Sequence, residues 1–419
     1  MWMGSVSKLL LLLSLFPNEG EQPEKYAVVF DAGSTGSRVH VFKFDQDMSL
    51  LRIGQDYELY VAIKPGLSSY EKEPEAGANS LRPLLEQAEE VIPQQLRATT
   101  PLRLGATAGL RLLPGTAAQD ILDAVKELFK SESSLNYKPE WVSVLDGTDE
   151  GAYMWVAINY LDGKLGKKYS KTVAVVDLGG GSVQMAYALS DKAAANAPPQ
   201  SNDVATRLAL GTNYNLYSHS YLNYGLLAAR AQNLNLSGAG NPCITNGYQG
   251  TYSYNGVDYK ASPPRSGTSL LGCVAQARKL LKVDTPCPNK PCSFGGVWNG
   301  GGGDGFDNLY AASYFYDTAI EAGIVEPNAN ITQVRPYVYL KAAKKACSAN
   351  VDNIKTKFPQ LEDYDVPYLC MDLVYEYILL VEGFGINLIK KITVVKNLEY
   401  KDSWIGAAWP LGCAVELLS

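Results

Sequence analysis

Two short turns, each rich in glycine and each placed just after an aspartate, carry the residues most able to do chemistry. Asp31 is followed by Ala-Gly-Ser-Thr-Gly-Ser, and Asp177 is followed by Leu and then by three glycines and Ser182. Glycine lets a backbone approach an anion closely, and successive N–H groups with nearby hydroxyls can surround phosphate oxygens. A carboxylate repels phosphate, so a divalent cation between the two would explain its position. A polar hairpin tip that binds nothing is the alternative for either turn taken alone.

The elements that must position these turns are two β-hairpins. Apolar runs flank each turn within residues 26–44 and 172–187, a pattern typical of paired strands with a tip of small polar residues. Asp31 and Asp177 lie 146 positions apart (177 − 31), about one domain length. The repeat predicts a duplicated lobe, with a nucleotide polyphosphate held in the cleft between two facing hairpins.

Glu150 is the candidate for a general base. A strand and a turn precede it and a helical pattern follows over residues 152–161, which places Glu150 near a helix N-terminus. Acids are common at that position because they cap the helix and interact with its dipole, so a structural role stays open. Thr107 lies between small residues, where close backbone packing is an equally simple explanation.

Length, composition and charge narrow the class of protein. A chain of 419 residues, 46% of them hydrophobic and 19% charged, predicts a globular protein of two or three lobes. Its net charge of −6 argues against nucleic acid as an obligate partner, which would need a basic face. His40 and His219 are the only histidines, which argues strongly against a multi-histidine metal site and favours oxygen-ligated Mg²⁺ or Ca²⁺.

The first 25 residues predict a signal peptide and a flexible link. Lys8 precedes an apolar run over residues 9–16, which has the length of a signal-peptide core and is too short to span a bilayer. An uncleaved anchor is the alternative. No later stretch is long and apolar enough for a membrane helix, so we expect the secretory pathway, with an extracellular or endomembrane-lumenal destination and no permanent membrane span.

The cysteines agree with this compartment. All seven follow residue 240, and six can pair in fifteen ways. Sequence proximity favours three pairs and leaves Cys413 free and buried. The favoured pairs are Cys243–Cys273, Cys287–Cys292 and Cys347–Cys370. Asn235 and Asn330 each begin a glycosylation sequon.

Several other segments receive an interpretation from their pattern. Residues 120–131 predict an amphipathic helix, and residues 207–231 predict a tyrosine-rich helix after a short start. A glycine loop over residues 294–305 precedes a predicted aromatic helix over 308–316, whose tyrosines could stack on a base or belong to the core. The alternating tyrosines near residue 252 predict an exposed hairpin.

Five motifs, taken in their order along the chain, resemble those of the apyrase family of nucleoside di- and triphosphate hydrolases, the ectonucleotidase group. The resemblance is closest to the soluble plant apyrases. The motifs are residues 28–42, 104–113, 144–161, 173–187 and 294–305, with support from 64–70 and 409–412. The resemblance covers residues 26–419. It implies an α/β fold of two actin-like (ribonuclease-H-like) lobes with the active site in the cleft between them. Lobe I is then residues 26–147 plus 402–419, and lobe II is 148–401 with disulfide-stapled insertions.

The resemblance also implies a role for each site residue. Two acids hold the divalent cation, Ca²⁺ or Mg²⁺, mostly through its waters, and one tryptophan lies near it: Asp31, Asp177 and Trp409. Two loops bind phosphate: Ser34, Thr35, Gly36 and Ser37 in the first, and Gly179, Gly180, Gly181 and Ser182 in the second. Glu150 is the catalytic base, and three residues order the attacking water and the metal shell: Thr107, Ser182 and Gln184. Tyr310 is the best candidate for the aromatic half of a base clamp.

The expected activity is stepwise hydrolysis of nucleoside tri- and diphosphates to the monophosphate and inorganic phosphate, by a monomer. Human-type enzymes carry a histidine in the first phosphate loop where this chain has Gly36-Ser37, so the balance of triphosphate against diphosphate stays open. The alternatives are an enzyme biased to nucleoside diphosphates and a carbohydrate-binding protein on the same fold, with glycans as partners. A sugar kinase would need an acceptor-side aspartate, and an exopolyphosphatase-like enzyme fits the cysteines and the aromatic glycine loop poorly.

Overall fold

A computed structural model describes residues 24–199, 201–237 and 240–419. The predicted signal segment lies almost entirely outside these residues. Within them, no helix has the length and apolar character needed to cross a membrane.

The first lobe is built on a six-stranded mixed sheet with the order β3-β2-β1-β5-β6, in which β4 also pairs with β2. Its strands are β1 (Lys25–Ala32), β2 (Ser37–Phe44), β3 (Leu50–Leu51), β4 (Glu58–Ile63), β5 (Pro101–Ala106) and β6 (Asn136–Val144). The β1 and β2 strands form the predicted antiparallel hairpin, and β5 runs parallel to β1. Apolar side chains cover both faces of β1, so this strand lies at the centre of the lobe.

The second lobe is built on a seven-stranded sheet with the order β14-β15-β13-β7-β8-β10-β9. The strands from here to the C-terminus are β7 (Ala174–Leu178), β8 (Ser182–Leu189), β9 (Val204–Ala209), β10 (Thr212–Leu222), β11 (Gly250–Tyr254), β12 (Val257–Ala261), β13 (Leu309–Ser313), β14 (Ile331–Val334), β15 (Ile392–Val395), β16 (Asn397–Tyr400) and β17 (Ser403–Gly406). Here β7 pairs antiparallel with β8 and parallel with β13. The neighbours of β7 therefore repeat those of β1, and the predicted duplication is confirmed at the level of strand topology.

Helices cover both sheets and join them. They are α1 (Pro74–Ser80), α2 (Arg82–Glu90), α3 (Gln94–Arg97), α4 (Ala108–Arg111), α5 (Ala117–Glu132), α6 (Gly147–Leu161), α7 (Asp191–Ala195), α8 (Leu226–Asn235), α9 (Leu270–Leu281), α10 (Tyr314–Glu321), α11 (Tyr337–Cys347), α12 (Ile354–Lys357), α13 (Leu369–Ile378) and α14 (Trp409–Leu418). The predicted amphipathic helix lies within α5, whose apolar side is buried against the first sheet.

The centre of the molecule is the pair of helices α6 and α14. Nearly every side chain of α6 is buried, and the helix packs against α14 on one side and against β8 and β10 on the other. Gly412 makes the close approach possible, because a Cβ at this position would lie 1.8 Å from the carbonyl oxygen of Tyr153. The C-terminal helix also contacts β1, the central strand of the first sheet.

Two predicted elements are wrong. Of the tyrosine-rich helix predicted over 207–231, only residues 226–231 are helical, in α8, and residues 212–222 form strand β10. The tyrosines of β10 have helical spacing, but the strand pairs with β8 on one side and β9 on the other. The predicted aromatic helix over 308–316 is β13 followed by the start of α10, with Ser313 in a left-handed conformation at the junction. The predicted hairpin near residue 252 exists as β11 and β12, but Tyr252 is buried instead of exposed.

All three disulfides pair as sequence proximity predicted: Cys243–Cys273, Cys287–Cys292 and Cys347–Cys370. Cys413 is a free, buried thiol in α14, as expected.

Candidate active site

The first hairpin turn places Asp31 opposite Arg38 at the end of its strand pair. The turn is closed by a hydrogen bond of 3.0 Å, in which the Gly33 N–H donates to the Gly36 carbonyl oxygen. A Cβ on Gly36 would lie 2.7 Å from the carbonyl oxygen of Ile63, so the neighbouring strand requires glycine there. Of the two hydroxyl-bearing residues in the turn, Thr35 is exposed and Ser34 is half-buried.

The second hairpin turn has the same construction. Asp177 lies opposite Gln184, and the Gly179 N–H donates to the Ser182 carbonyl oxygen at 3.0 Å. In both turns this hydrogen bond joins the second and the fifth residues after the aspartate. The two lobes therefore present one carboxylate and one backbone-lined turn each, in equivalent positions.

The two turns touch each other. A Cβ on Gly180 would lie 3.1 Å from Ser34 Oγ. Helix α4 of the first lobe lies beside both turns: a Cβ on Gly181 would lie 2.7 Å from the Cβ of Ala108, and one on Gly109 would lie 2.8 Å from the Cα of Ser34. The structure therefore brings the tips of the hairpins together, as the repeat in the sequence predicted.

A cavity of 710 Å³ extends from these tips between the lobes. Most of the predicted site residues line it: Asp31, Ser34, Thr35, Thr107, Glu150, Asp177, Gly179, Gly180, Gly181, Ser182 and Trp409. Three others lie just behind its wall, in or beside the hairpin turns: Gly36, Ser37 and Gln184.

Tyr310 lies away from this cavity. It is on strand β13 in the second sheet, and its hydroxyl donates to Asp162 Oδ2 at 3.1 Å. Tyr310 was predicted to contact the base because the sequence indicated a loop–helix junction near it. In the structure the helix begins after residue 313. Tyr314 and Tyr316 follow that junction and line the cavity in its place.

Asp177 is buried in the cavity wall and Asp31 is partly buried there, and each has a hydrogen-bonding neighbour. Asp31 Oδ2 accepts a contact of 3.3 Å from Arg38, and Asp177 Oδ1 accepts one of 2.6 Å from the Ser313 hydroxyl. Burial raises the pKa of Asp31, and the charge of Arg38 opposes the rise. Burial also raises the pKa of Asp177, which the Ser313 hydrogen bond lowers and the charge of Asp31 raises further.

The donor set suits a divalent cation. Asp31 Oδ1 is buried and has no hydrogen-bond partner in the part of the chain that the structure describes, which is costly unless a ligand meets it. Carboxylate oxygens are the ligands that Mg²⁺ and Ca²⁺ prefer. No three His, Cys, Asp or Glu side chains among the described residues converge on one point, so water or phosphate oxygens must complete the coordination. Trp409 lies beside this region, with its ring against Gly105, the partner of Asp31 on β5.

Glu150 is in the first turn of α6, and it is not the residue that caps this helix. Asp146 is the N-cap, and its carboxylate accepts a hydrogen bond of 2.8 Å from the Thr148 N–H. Glu150 instead lines the cavity with only 9% of its surface exposed. Asp146, and not Glu150, therefore caps this helix.

Two donors hold the Glu150 carboxylate at Oε2. Arg111 donates through Nη2, and Gln184 donates through Nε2 at 3.3 Å. Burial raises the pKa of Glu150 to about 7, the charge of Arg111 opposes this rise, and the nearby Asp177 and Asp31 add to it. A carboxyl group with this pKa can act as a base near neutral pH.

Gln184 ties the second hairpin to this group. Its Nε2 lies 2.7 Å from Ser182 Oγ and 3.0 Å from Ser220 Oγ. Arg111 is also near Ser220, at 3.4 Å. Sequence reasoning did not assign a role to Arg111, Ser220 or Ser313. Arg111 follows Thr107 by one helical turn, which is the signal that was available, whereas nothing in the sequence marks Ser313.

Comparison with known proteins gives a consistent result. A family model described as the GDA1/CD39 (nucleoside phosphatase) family matches residues 18–419. The apyrase of Solanum tuberosum is 54% identical over 402 residues, which cover 95% of this chain and 88% of that protein. The nucleoside-triphosphatase of Pisum sativum is 49% identical over 405 residues, which cover 95% and 89%.

A solved structure of nucleoside triphosphate hydrolases from Neospora caninum matches with a TM-score of 0.66 at 16% identity, over 94% of this chain and 92% of that one. At this identity the likeness concerns the fold alone. It agrees with the two actin-like lobes that the sequence motifs predicted.

Proposed function

Because the chain belongs to the GDA1/CD39 (nucleoside phosphatase) family, we propose that it hydrolyses nucleoside tri- and diphosphates stepwise to the monophosphate and inorganic phosphate. The observation that carries this proposal is the meeting of two equivalent Asp-and-glycine hairpins in one cavity that also contains Glu150. The names of the curated relatives, an apyrase and a nucleoside-triphosphatase, support the same substrate class.

The two turns would bind the phosphates. Phosphoryl transfer asks a protein mainly to position the reacting groups and to stabilise charge on the transferred oxygens. The backbone N–H groups of both turns, with the hydroxyls of Ser34, Thr35 and Ser182, can do this from opposite sides of the terminal phosphate. Asp31 and Asp177 would hold a divalent cation, Ca²⁺ or Mg²⁺, which when bound neutralises phosphate charge.

Glu150 would accept the proton of the attacking water. Arg111 and Gln184 both act on Oε2, so they fix the orientation of the carboxylate while Oε1 takes the proton. The water oxygen forms a bond to the terminal phosphorus as the bond from that phosphorus to the bridging oxygen breaks. Thr107 and Ser182 line the same part of the cavity and would order the water.

Tyr314 and Tyr316 supply aromatic surface in the same cavity. We include them, in place of Tyr310, as the residues that would contact the base. Lys396 lines the same cavity, and its positive charge would make a further contact with the nucleotide.

The secretory pathway is the compartment that we propose. Three disulfides in the second lobe support an oxidising environment. Asn235 is exposed and Asn330 is half-buried, so Asn235 is the better glycosylation site of the two.

Phosphate release from ATP, ADP, GDP and UDP, with and without a chelator, tests the activity. We expect release from both tri- and diphosphates without any acceptor sugar, loss of release with the chelator, and recovery with added Ca²⁺ or Mg²⁺. Failure to release phosphate under any of these conditions, or release only with an acceptor sugar, would refute the proposal.

A further inference from the structure

A second cavity, of 690 Å³, meets the first at the tip of the first hairpin. Ser34 and Thr35 line both cavities. The other walls come from both lobes: residues 68–73 and 112–114 from the first, and residues 227 and 253–256 from the second. We call this space the rear cavity. It lies on the far side of the turns that we propose bind the terminal phosphate.

The partition between the two cavities consists of small residues in contact across the lobes. Gly180 lies against Ser34, and Gly181 lies against Ala108. A Cβ at Gly181 would also lie 3.5 Å from the Tyr254 hydroxyl, which belongs to the rear cavity. These are non-covalent contacts between two lobes, so a small separation of the lobes opens the partition.

The residues that line the rear cavity can contact a phosphate ion as it passes, but they would not bind a polyanion tightly. Its hydroxyls, among them those of Ser68 and Ser69, can exchange hydrogen bonds with a phosphate. Its charged residues are one lysine, Lys72, against Glu71 and Glu73. One cation facing two carboxylates does not retain a multiply charged anion.

Tyr254 adds a donor at the partition itself. Its hydroxyl oxygen is buried and has no hydrogen-bond partner among the residues that the structure describes. Burial raises the pKa of this tyrosine to about 12, so the hydroxyl keeps its proton at neutral pH. An unpaired buried donor is costly, and a phosphate oxygen that passes the partition would satisfy it.

We propose that the orthophosphate product leaves through the rear cavity while the nucleotide remains in the first cavity. This inference rests on the proposed function. The terminal phosphate would lie at the end shared by the two cavities, with the rest of the nucleotide between it and the mouth of the first. An exit behind the turns releases phosphate without prior release of the nucleoside diphosphate, which then remains bound and advances by one phosphate unit toward the turns for the second hydrolysis.

Tryptophan substitutions that narrow the rear cavity from either lobe test this proposal. Ser69→Trp does so from the first lobe and Ser253→Trp from the second; both serines are exposed and outside the hairpin turns. Ser134→Trp is the matched control, an exposed serine of the first lobe that lines neither cavity. Single-turnover ATP hydrolysis is followed twice, by acid quench for cleavage and by a fluorescent phosphate-binding protein for free phosphate.

We expect cleavage to keep its rate in both narrowed variants while free phosphate appears about tenfold later or more. The two time courses stay together in the Ser134→Trp control. Tyr254→Phe removes only the hydroxyl and should slow free phosphate by about tenfold, the loss of one hydrogen bond to a charged oxygen.

Free phosphate that follows cleavage without delay in both narrowed variants overturns the exit path. Slower cleavage in both variants also overturns it, because the rear cavity would then hold part of the substrate, such as the tail of a longer polyphosphate. Failure of the proposed function is a separate result, since wild-type protein would then show no cleavage in the acid quench.

Discussion

At the scale of single residues, the electrostatics of Glu150 connect the structure to a pH dependence. The pKa of this carboxyl is about 7, against an ordinary value of 4.5, because burial and two neighbouring acids disfavour its charge. A general base must be ionised, so kcat/KM is expected to rise with pH up to about 7 and then level off. The same shift means that ionisation of Glu150 destabilises the folded protein. The stability that the protonated carboxyl contributes is fully present below pH 4.5 and is lost as the pH rises through 7.

Arg111 is the residue that keeps this pKa from rising further, because its guanidinium pairs with Glu150. Arg111→Ala should move the acid limb of kcat/KM to higher pH by about one unit. The pH–rate profile measures this shift. Arg82→Ala is the control, since Arg82 pairs with Glu132 at the exposed surface and should leave the limb in place. An unchanged limb in Arg111→Ala would show that Glu150 is not the group that titrates.

Substitution of Asp31 tests the proposed cation site by a measurement of metal binding that does not depend on turnover. Its unpaired Oδ1 and the carboxylate of Asp177 are the oxygens that we propose hold the ion. Asp31→Asn should weaken Mn²⁺ binding, measured by electron paramagnetic resonance of the free ion, because an amide lacks the negative charge. Asp45→Asn is the control, in a loop where Asp45 accepts a hydrogen bond from Ser49. Equal Mn²⁺ affinity in the two variants would place the cation elsewhere.

Sequence reasoning identified the acids of the site but missed the groups that hold them. The acids were visible because each lies at the end of a buried strand or in the first turn of a helix, positions that local pattern determines. Arg38 could have been paired with Asp31 from the hairpin register. Ser313 reaches Asp177 from 136 positions away, and only the parallel pairing of β13 with β7 brings it there. A contact of this kind depends on the tertiary fold and leaves no local signal.

At the scale of elements, the contact between the second hairpin turn and α4 of the first lobe is the feature with the sharpest consequence. Gly181→Ala would set a methyl group 2.7 Å from the Cβ of Ala108, the first residue of α4, and push the second turn away from the first lobe. A displacement of the phosphate-binding groups of about 1 Å can lower kcat by about 10²-fold. We expect this loss in steady-state phosphate release with little change in the melting temperature.

The complementary change provides the control. The double variant Gly181→Ala, Ala108→Gly removes the opposing methyl group and should recover most of the activity. Activity of the single variant equal to wild type, or no recovery in the double variant, would contradict a tight contact between the second turn and α4.

The hairpins were predictable because strict patterning and glycine-rich turns are local features. β10 and β13 were not. The tyrosines of β10 are spaced three and four positions apart, as on a helix, and their strand conformation comes from pairing with β8 and β9 on both sides. The error at β13 moved the proposed base contact from Tyr310 to Tyr314 and Tyr316, since a junction shift of a few residues changes which side chains face the cleft.

At the scale of the whole molecule, the two lobes are held by different means. Every disulfide lies in the second lobe, within residues 243–370, whereas the first lobe relies on its apolar core. The pair Cys243–Cys273 spans 30 residues and the pair Cys287–Cys292 spans 5. Loop-closure entropy predicts that removal of the first pair by alanine costs about 4 kcal/mol and removal of the second about 2 kcal/mol.

Urea unfolding of the two double-alanine variants measures this difference, with the shorter loop as the matched control for the longer. Equal costs, or a larger cost for the Cys287–Cys292 pair, would show that native-state strain outweighs chain entropy here. The pairing itself could be predicted from sequence proximity, but its confinement to one lobe required the fold.

The two-lobe arrangement was predictable because the Asp-and-glycine hairpin occurs twice at a domain-length interval. The role of α6 and α14 as the shared centre was not, since the sequence indicated which lobe the C-terminus joins but not the helix against which it packs. This packing places Trp409 in the cavity beside Asp31, although 378 positions (409 − 31) separate them in the chain.

The most direct test of a Glu150-dependent phosphohydrolase is Glu150→Gln in a single-turnover ATP cleavage assay. We predict a fall in the cleavage rate of about 10²–10⁴-fold, while ATP still raises the melting temperature of the variant. Glu376→Gln, a second buried glutamate with a raised pKa but outside the cavity, should cleave ATP at the wild-type rate. Cleavage by Glu150→Gln at a rate close to that of Glu376→Gln would contradict the role of Glu150 and the active site built around it.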